Sequence, residues 1–216
     1  MPFTLAPVFP GDAVGIGAGG EFKEIAKRTA QTIRLEGGND LESQPLNRAR
    51  LGILELDWFQ GPIEYCMLPD GVSNDRVRQS GGRYSLTTDF DFMMRMGPWC
   101  DNFAVPVVLN ECMLQSYSGT IRLFPNTLNL GAVRFERLRC VGAFLVNAAY
   151  DGETETTFDV LSEQGTPLRF ASPWPARQVR VFWLRDNRWI QPVQAADADV
   201  WVVPTEPGER YSIHVA

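Results

Sequence analysis

Four carboxylates stand beside aromatic or apolar residues in the middle of this chain: Asp89 and Asp91 in "TTDFDF", Asp101 ahead of "NF", and Glu111 inside "VPVVLNECML". A carboxylate held against apolar surface costs free energy unless it is paired or used, which makes these positions candidates for acid–base work. The structural alternative gives Asp89 and Asp91 to a turn, Asp101 to a helix cap and Glu111 to an arginine or backbone partner inside the fold. Other chemistry is thinly supplied. His214 is the single histidine and lies in a strand-like run, so a catalytic triad or a two-histidine metal site lacks partners. Cys66, Cys100, Cys112 and Cys140 form no Cys-x-x-Cys pair; Cys112 reads as a small core residue, and a Cys66–Cys100 disulfide is left open. Gly15, Gly17, Gly19 and Gly20 have neither the preceding strand nor the following Lys-Ser/Thr of a phosphate loop. No metal and no cofactor is expected.

The totals narrow the partners. A net charge of -6 argues against a phosphate backbone, and the densest basic run, "KEIAKR" at 23–28, is interrupted by Glu24, so no nucleic-acid partner is expected. No apolar run approaches the length of a membrane span, and no charged start followed by an apolar core opens the sequence. Neither a membrane partner nor an export signal is therefore expected in this chain, and its compartment stays open. Ordinary proportions of 44% hydrophobic and 21% charged residues mark a chain that folds.

The elements that must position these residues change character along the chain. Residues 1–20 mix Pro and Gly and read as an extended loop. Phe22, Ile25, Ala26, Thr29 and Ile33 predict a helix over about 21–35. Leu46, Ala49, Arg50 and Ile53 predict a second over about 44–54, with Pro45 in its first turn, and a third is expected over about 56–67 around Pro62. Residues 70–99 carry little periodicity. A stretch of that kind in a compact domain is usually functional. A fourth helix is expected over about 103–117, with Asn102 as its N-cap and Pro106 in its first turn; apolar residues on more than one side predict that it is buried. After Gly119 the period becomes two, and short runs such as "AVRFERLRC", "GAFLVNAAYDG", "TETTFDVLSEQG" and "VRVFWLR" are cut by Gly, Pro, Asn or Asp. The fold class is therefore α+β, with a boundary near residue 118.

The run "CDNFAVPVVLNECMLQSYSGTIRLFPN" resembles the segment of family 95 glycoside hydrolases in which "IDGNFG...AEMLLQSH.G.I.LLPALP" ends the catalytic barrel and begins a C-terminal sandwich. "FERLRCVGAFLVNA" and "VLSEQGTPLRFASPWP" look like strands of that sandwich, and "GGNDLESQPLNRARLGILE" is similar to the family's segment from Gly-Gly to Ala-Arg-Leu. The resemblance spans about residues 21–176 and is most specific at 101–126. It implies an (α/α)6-barrel enzyme that hydrolyses α-linked sugars, typically α-L-fucosides or α-L-galactosides, with inversion and without a metal. Inversion uses a general acid and a base, roughly 6.5–9.5 Å apart, that activates water. The family's base is the Asp of "DGNFG", and that position falls here on Cys100, with Asp101 one residue later. Asp101 is the first candidate for the base and Asp91 the second, while Asn102 and Trp99 are candidates for binding the sugar.

For the chain as a whole, residues 1–118 are expected to supply helices of an incomplete (α/α)6 barrel, and residues 119–216 to form an antiparallel β-sandwich. The resemblance implies that the general acid belongs to an earlier barrel segment, and the chain alone is therefore expected to hydrolyse little. The expected partners are carbohydrate and, for the apolar face of an incomplete barrel, a second copy or an upstream barrel fragment. The alternative is a non-catalytic carbohydrate-binding or structural β-sandwich module.

Overall fold

The computed structural model of the protein describes residues 3–33, 40–65, 99–127, 130–174, 176–196 and 199–216. The chain divides into two units, Met1–Cys112 and Met113–Ala216. Among the described residues the first is helical and the second is almost wholly antiparallel sheet, which makes the fold α+β.

The helical unit holds a 3-10 turn at Phe3–Leu5 and the helices α1 (Glu21–Thr32), α2 (Asp40–Leu51), α3 (Leu56–Tyr65) and α4 (Trp99–Met113). Its opening residues are a compact ladder of turns, where the sequence suggested an extended loop. The Val8 and Phe9 amides donate to the Leu5 carbonyl, and those of Ala13 and Val14 donate to Pro7. The ladder is held because Leu5 and Val8 are buried with Ala26, Ala30 and Leu51 in a small core. Gly11 is required there: a Cβ would lie 2.5 Å from the Ala6 oxygen that its own amide bonds.

Three helices differ from their sequence-based limits. On α1 the buried side is Ala26 and Ala30, with Ile33 packed against it, whereas Phe22 and Ile25 face solvent. The small side chains allow the close approach, and Phe22 lies one turn beyond the last of them. On α2 Pro45 is interior and not in the first turn. It removes one helical hydrogen bond, but residues 43–50 are all buried, and tertiary packing outweighs that loss. On α4 the helix starts at Trp99, which makes Asn102 an internal residue and not the N-cap, and Pro106 is likewise interior. Among the described side chains of α4, Val108 and Cys112 are buried, and Phe103, Val107 and Leu109 are exposed.

The second unit starts without a linker. Strand β1 (Leu114–Gln115) follows Met113 directly and pairs with β2 (Arg122–Leu123) around a turn closed by the Gly119 amide on the Ser116 oxygen. Gly119 has φ 75°, a conformation that glycine adopts without strain. Strands β3 (Val133–Cys140), β4 (Phe144–Tyr150), β5 (Glu155–Ser162), β11 (Glu209–Val215), β7 (Val179–Trp183) and β8 (Arg188–Ile190) form a six-stranded sheet in that order. A three-stranded sheet has the order β6 (Leu168–Ala171), β10 (Val200–Val203), β9 (Val193–Gln194), and Ile121 adds a parallel bridge to Phe170. The β4–β5 turn is fixed by Asp151, whose carboxylate accepts the amides of Thr154 and Glu153 and is thereby held below its usual pKa. Alternate residues of both sheets enter one buried cluster, among them Val146, Phe158, Val181 and Tyr211 from the larger and Leu168, Phe170 and Trp201 from the smaller. The Phe158 and Phe170 rings meet edge to face at 5.4 Å. Fully burying a side chain of this size contributes about 1.5–3 kcal/mol, which is why this cluster dominates the unit.

Candidate functional site

Of the residues that the sequence proposes for chemistry, Asp91, like Asp89, lies outside the described residues. Trp99, Asp101 and Asn102 share the first turn of α4 and are described through their backbone. The helix is regular there, so Asp101 sits about 100° around the axis from Cys100.

The far end of α4 is anchored by charge. Glu111, about 15 Å further along the axis at 1.5 Å per residue, accepts from Arg50 Nη2 at 3.1 Å. Arg50 also donates to the Val8 carbonyl at 3.2 Å and to Asp12, and its guanidinium lies 4.9 Å from the centre of the Phe9 ring. The Arg50 side chain is 8% exposed and that of Glu111 18%. Of the two uses open to the Glu111 carboxylate, pairing or acid–base work, the structure shows pairing: it serves an ion cluster linking α2, α4 and the opening turns.

Around α2 lies a second group of polar residues, which sequence reasoning did not single out. Ser43, Gln44 and Asn47 are fully buried. The Asn47 amide donates to the Ser43 carbonyl at 2.7 Å. Arg48 donates to the Ala30 carbonyl at 2.9 Å and lies 3.8 Å above the Trp58 ring. Burial lowers the Arg48 pKa, and Glu55 works in the opposite direction. Gln31, Arg48, Glu55 and Trp58 line a hollow of about 520 Å³. The only signal in the sequence was the clustering of Arg, Glu and Trp in "NRARLGILELDW", which helical periodicity does not rank.

In the sheet unit, His214 is exposed beside the Trp189 ring, 5.4 Å between centres, with Arg180 as its cross-strand neighbour. Trp174 packs against the core, and its backbone exchanges hydrogen bonds with the Ser172 hydroxyl. Cys112 and Cys140 are free, buried thiols whose pKa values burial pushes up to about 12. Among the described residues no group of three His, Cys, Asp or Glu side chains is placed to hold a metal, and no helix is long and apolar enough to cross a membrane. No model of a known protein family matches the chain, and no curated protein does either.

Proposed function

We propose that this chain is part of an inverting α-glycosidase of the family 95 kind, acting on α-L-fucoside- or α-L-galactoside-like sugars. In this reading α1–α4 belong to one arc of an (α/α)6 barrel, and the sheet unit is the β-sandwich that follows it. The observation that carries the reading is the junction. The run with the specific resemblance is a helix to Met113 and a strand from Leu114, with the two units dividing at the same point. Two sheets sharing one core support the sandwich. The exposed Phe103 and Val107 on α4 support further helices alongside it.

Asp101, from the first turn of α4, is the proposed base that draws a proton from water as the water attacks the anomeric carbon; Asp91 is the second candidate. Asn102 orients that water or a sugar hydroxyl, and Trp99 offers a ring face to the sugar. The resemblance assigns the general acid to an earlier barrel segment, so residues 1–216 alone hydrolyse little. No cofactor enters this chemistry. The test is hydrolysis of p-nitrophenyl α-L-fucoside and α-L-galactoside by the complete enzyme, meaning residues 1–216 together with the barrel segments that this reading places ahead of them. Asp101→Asn is expected to lower kcat by about 10²- to 10⁴-fold. Unchanged turnover in that variant removes Asp101 from the mechanism, and failure to cleave either glycoside removes the reading.

A second reading, a carbohydrate-binding module without chemistry, is favoured by a hollow on the outer face of the larger sheet.

A further inference from the structure

That outer face is polar where the inner face is apolar. The buried face of β4, β5 and β11 carries Val146, Ala148, Phe158, Val160, Tyr211 and Ile213. On the opposite face Asn147, Asp159 and Ser212 are direct partners across three neighbouring strands. Directly paired side chains on one face stand about 4.5–5.5 Å apart at Cβ. All three are half-buried. The next row holds Leu161 and its partner Arg210.

A β-bulge closes one side. The register of β3 against β4 shifts between Phe135 and Leu138, and Arg137 adopts φ 58°, which an L-residue other than Asn or Asp seldom takes. The strained residue is held by its amide donating to Asn147 Oδ1 at 2.8 Å. The bulge brings Glu136 and Arg137 to a hollow of about 290 Å³ that Asn147, Asp159, Arg210 and Ser212 also line, with Leu161 and Leu184 supplying apolar surface. That volume is at the lower end of small-molecule pockets, room for about one ring.

The polar groups are already oriented. Asn147 Oδ1 is occupied by the Arg137 amide, which turns its Nδ2 donors away from that contact. Asp159 Oδ1 accepts from Ser212 Oγ, and its second oxygen remains an acceptor. A donor amide and an acceptor carboxylate side by side match a hydroxyl, which gives one hydrogen and takes another. Two arginines and two carboxylates leave the hollow with no net charge, so neither an anion nor a cation is selected. Leu161 and Leu184 suit the C–H face of a ring.

We propose that this hollow is a binding site for one residue of a neutral sugar, with Asp159 and Asn147 as the central pair and Arg210 and Glu136 reaching further hydroxyls. The inference stands on the sheet unit alone and does not rest on the glycosidase reading. The experiment titrates the isotope-labelled full chain with D-galactose, D-glucose and L-fucose and follows backbone amide shifts. With millimolar affinity for at least one sugar, shifts should concentrate at residues 136–137, 147, 159 and 210–212. Asn147→Ala and Asp159→Asn should each weaken binding about tenfold or more, with the shift pattern of the remaining sheet intact. Either of two results overturns the proposal: no localised shifts with any of the three sugars, or stronger binding of D-glucuronate than of D-glucose. Hydrolysis of p-nitrophenyl glycosides is a separate readout, so loss of one conclusion leaves the other standing.

Discussion

Arg50 is the residue on which the helical unit turns. It ties the opening loop, α2 and α4 through Asp12, the Val8 carbonyl and Glu111 while being almost wholly buried. Removing one member of a buried ion cluster leaves the others uncompensated, at about 3–5 kcal/mol. Arg50→Ala is therefore expected to cost an amount in that range in urea unfolding followed by circular dichroism. Glu111→Gln should cost clearly less, since Asp12 and the carbonyl still hold the guanidinium. Equal costs for the two variants would contradict the shared cluster. None of this was legible residue by residue. Arg50 and Glu111 are separated by 61 positions, and the sequence indicates only that a carboxylate in an apolar helix needs a partner, not which one. The hollow on the sheet was hidden for a related reason: the register that aligns Asn147, Asp159 and Ser212 follows from pairing, which spacing alone does not set.

At the scale of elements, strands were easier to read than helix ends. The period-two runs "AVRFERLRC", "GAFLVNAAYDG", "TETTFDVLSEQG" and "VRVFWLR" each contain a strand, because Gly, Pro, Asn and Asp cut them where the chain must turn. Strands β8 and β9 carry no such signal: three and two residues long, they lie at sheet edges, and Trp189 and Val193 are exposed, so no alternation marks them. Helix limits were displaced where Pro45 and Pro106 read as first-turn residues; at Pro45 burial of the surrounding turns outweighed the local preference. One element carries a pH signature. Cys140 ends β3 in the core, and burial raises its thiol from 9.0 to about 12. The unfolded chain then loses this proton at lower pH than the folded one. The stability it contributes is complete below pH 9 and is lost as pH rises from 9 to about 12. The stability gap between the wild-type protein and Cys140→Ala should narrow by about 1.4 kcal/mol per pH unit above the unfolded thiol's value. Parallel alkaline denaturation profiles would show that the thiol ionises equally in both states.

At the scale of the molecule, apolar exposure on the helices complements the sequence resemblance. Phe103 is 67% exposed and Phe22 78%; under the proposed barrel reading these side chains belong to surface that further helices would cover. Self-association is the outcome expected of the isolated chain. Burying a phenylalanine contributes about 1.5–3 kcal/mol, so Phe103→Ser should weaken self-association about tenfold or more in sedimentation measurements. A wild-type chain that stays monomeric at high concentration would count against exposed barrel surface. The central claim remains the glycosidase, and its most direct test is the stereochemistry of the first-formed product. The complete enzyme, residues 1–216 joined by the barrel segments that the reading requires, acting on p-nitrophenyl α-L-fucoside and watched by proton NMR from the first turnover, should release the β-anomer, which then mutarotates. Release of the α-anomer, or no release of fucose, would contradict the account.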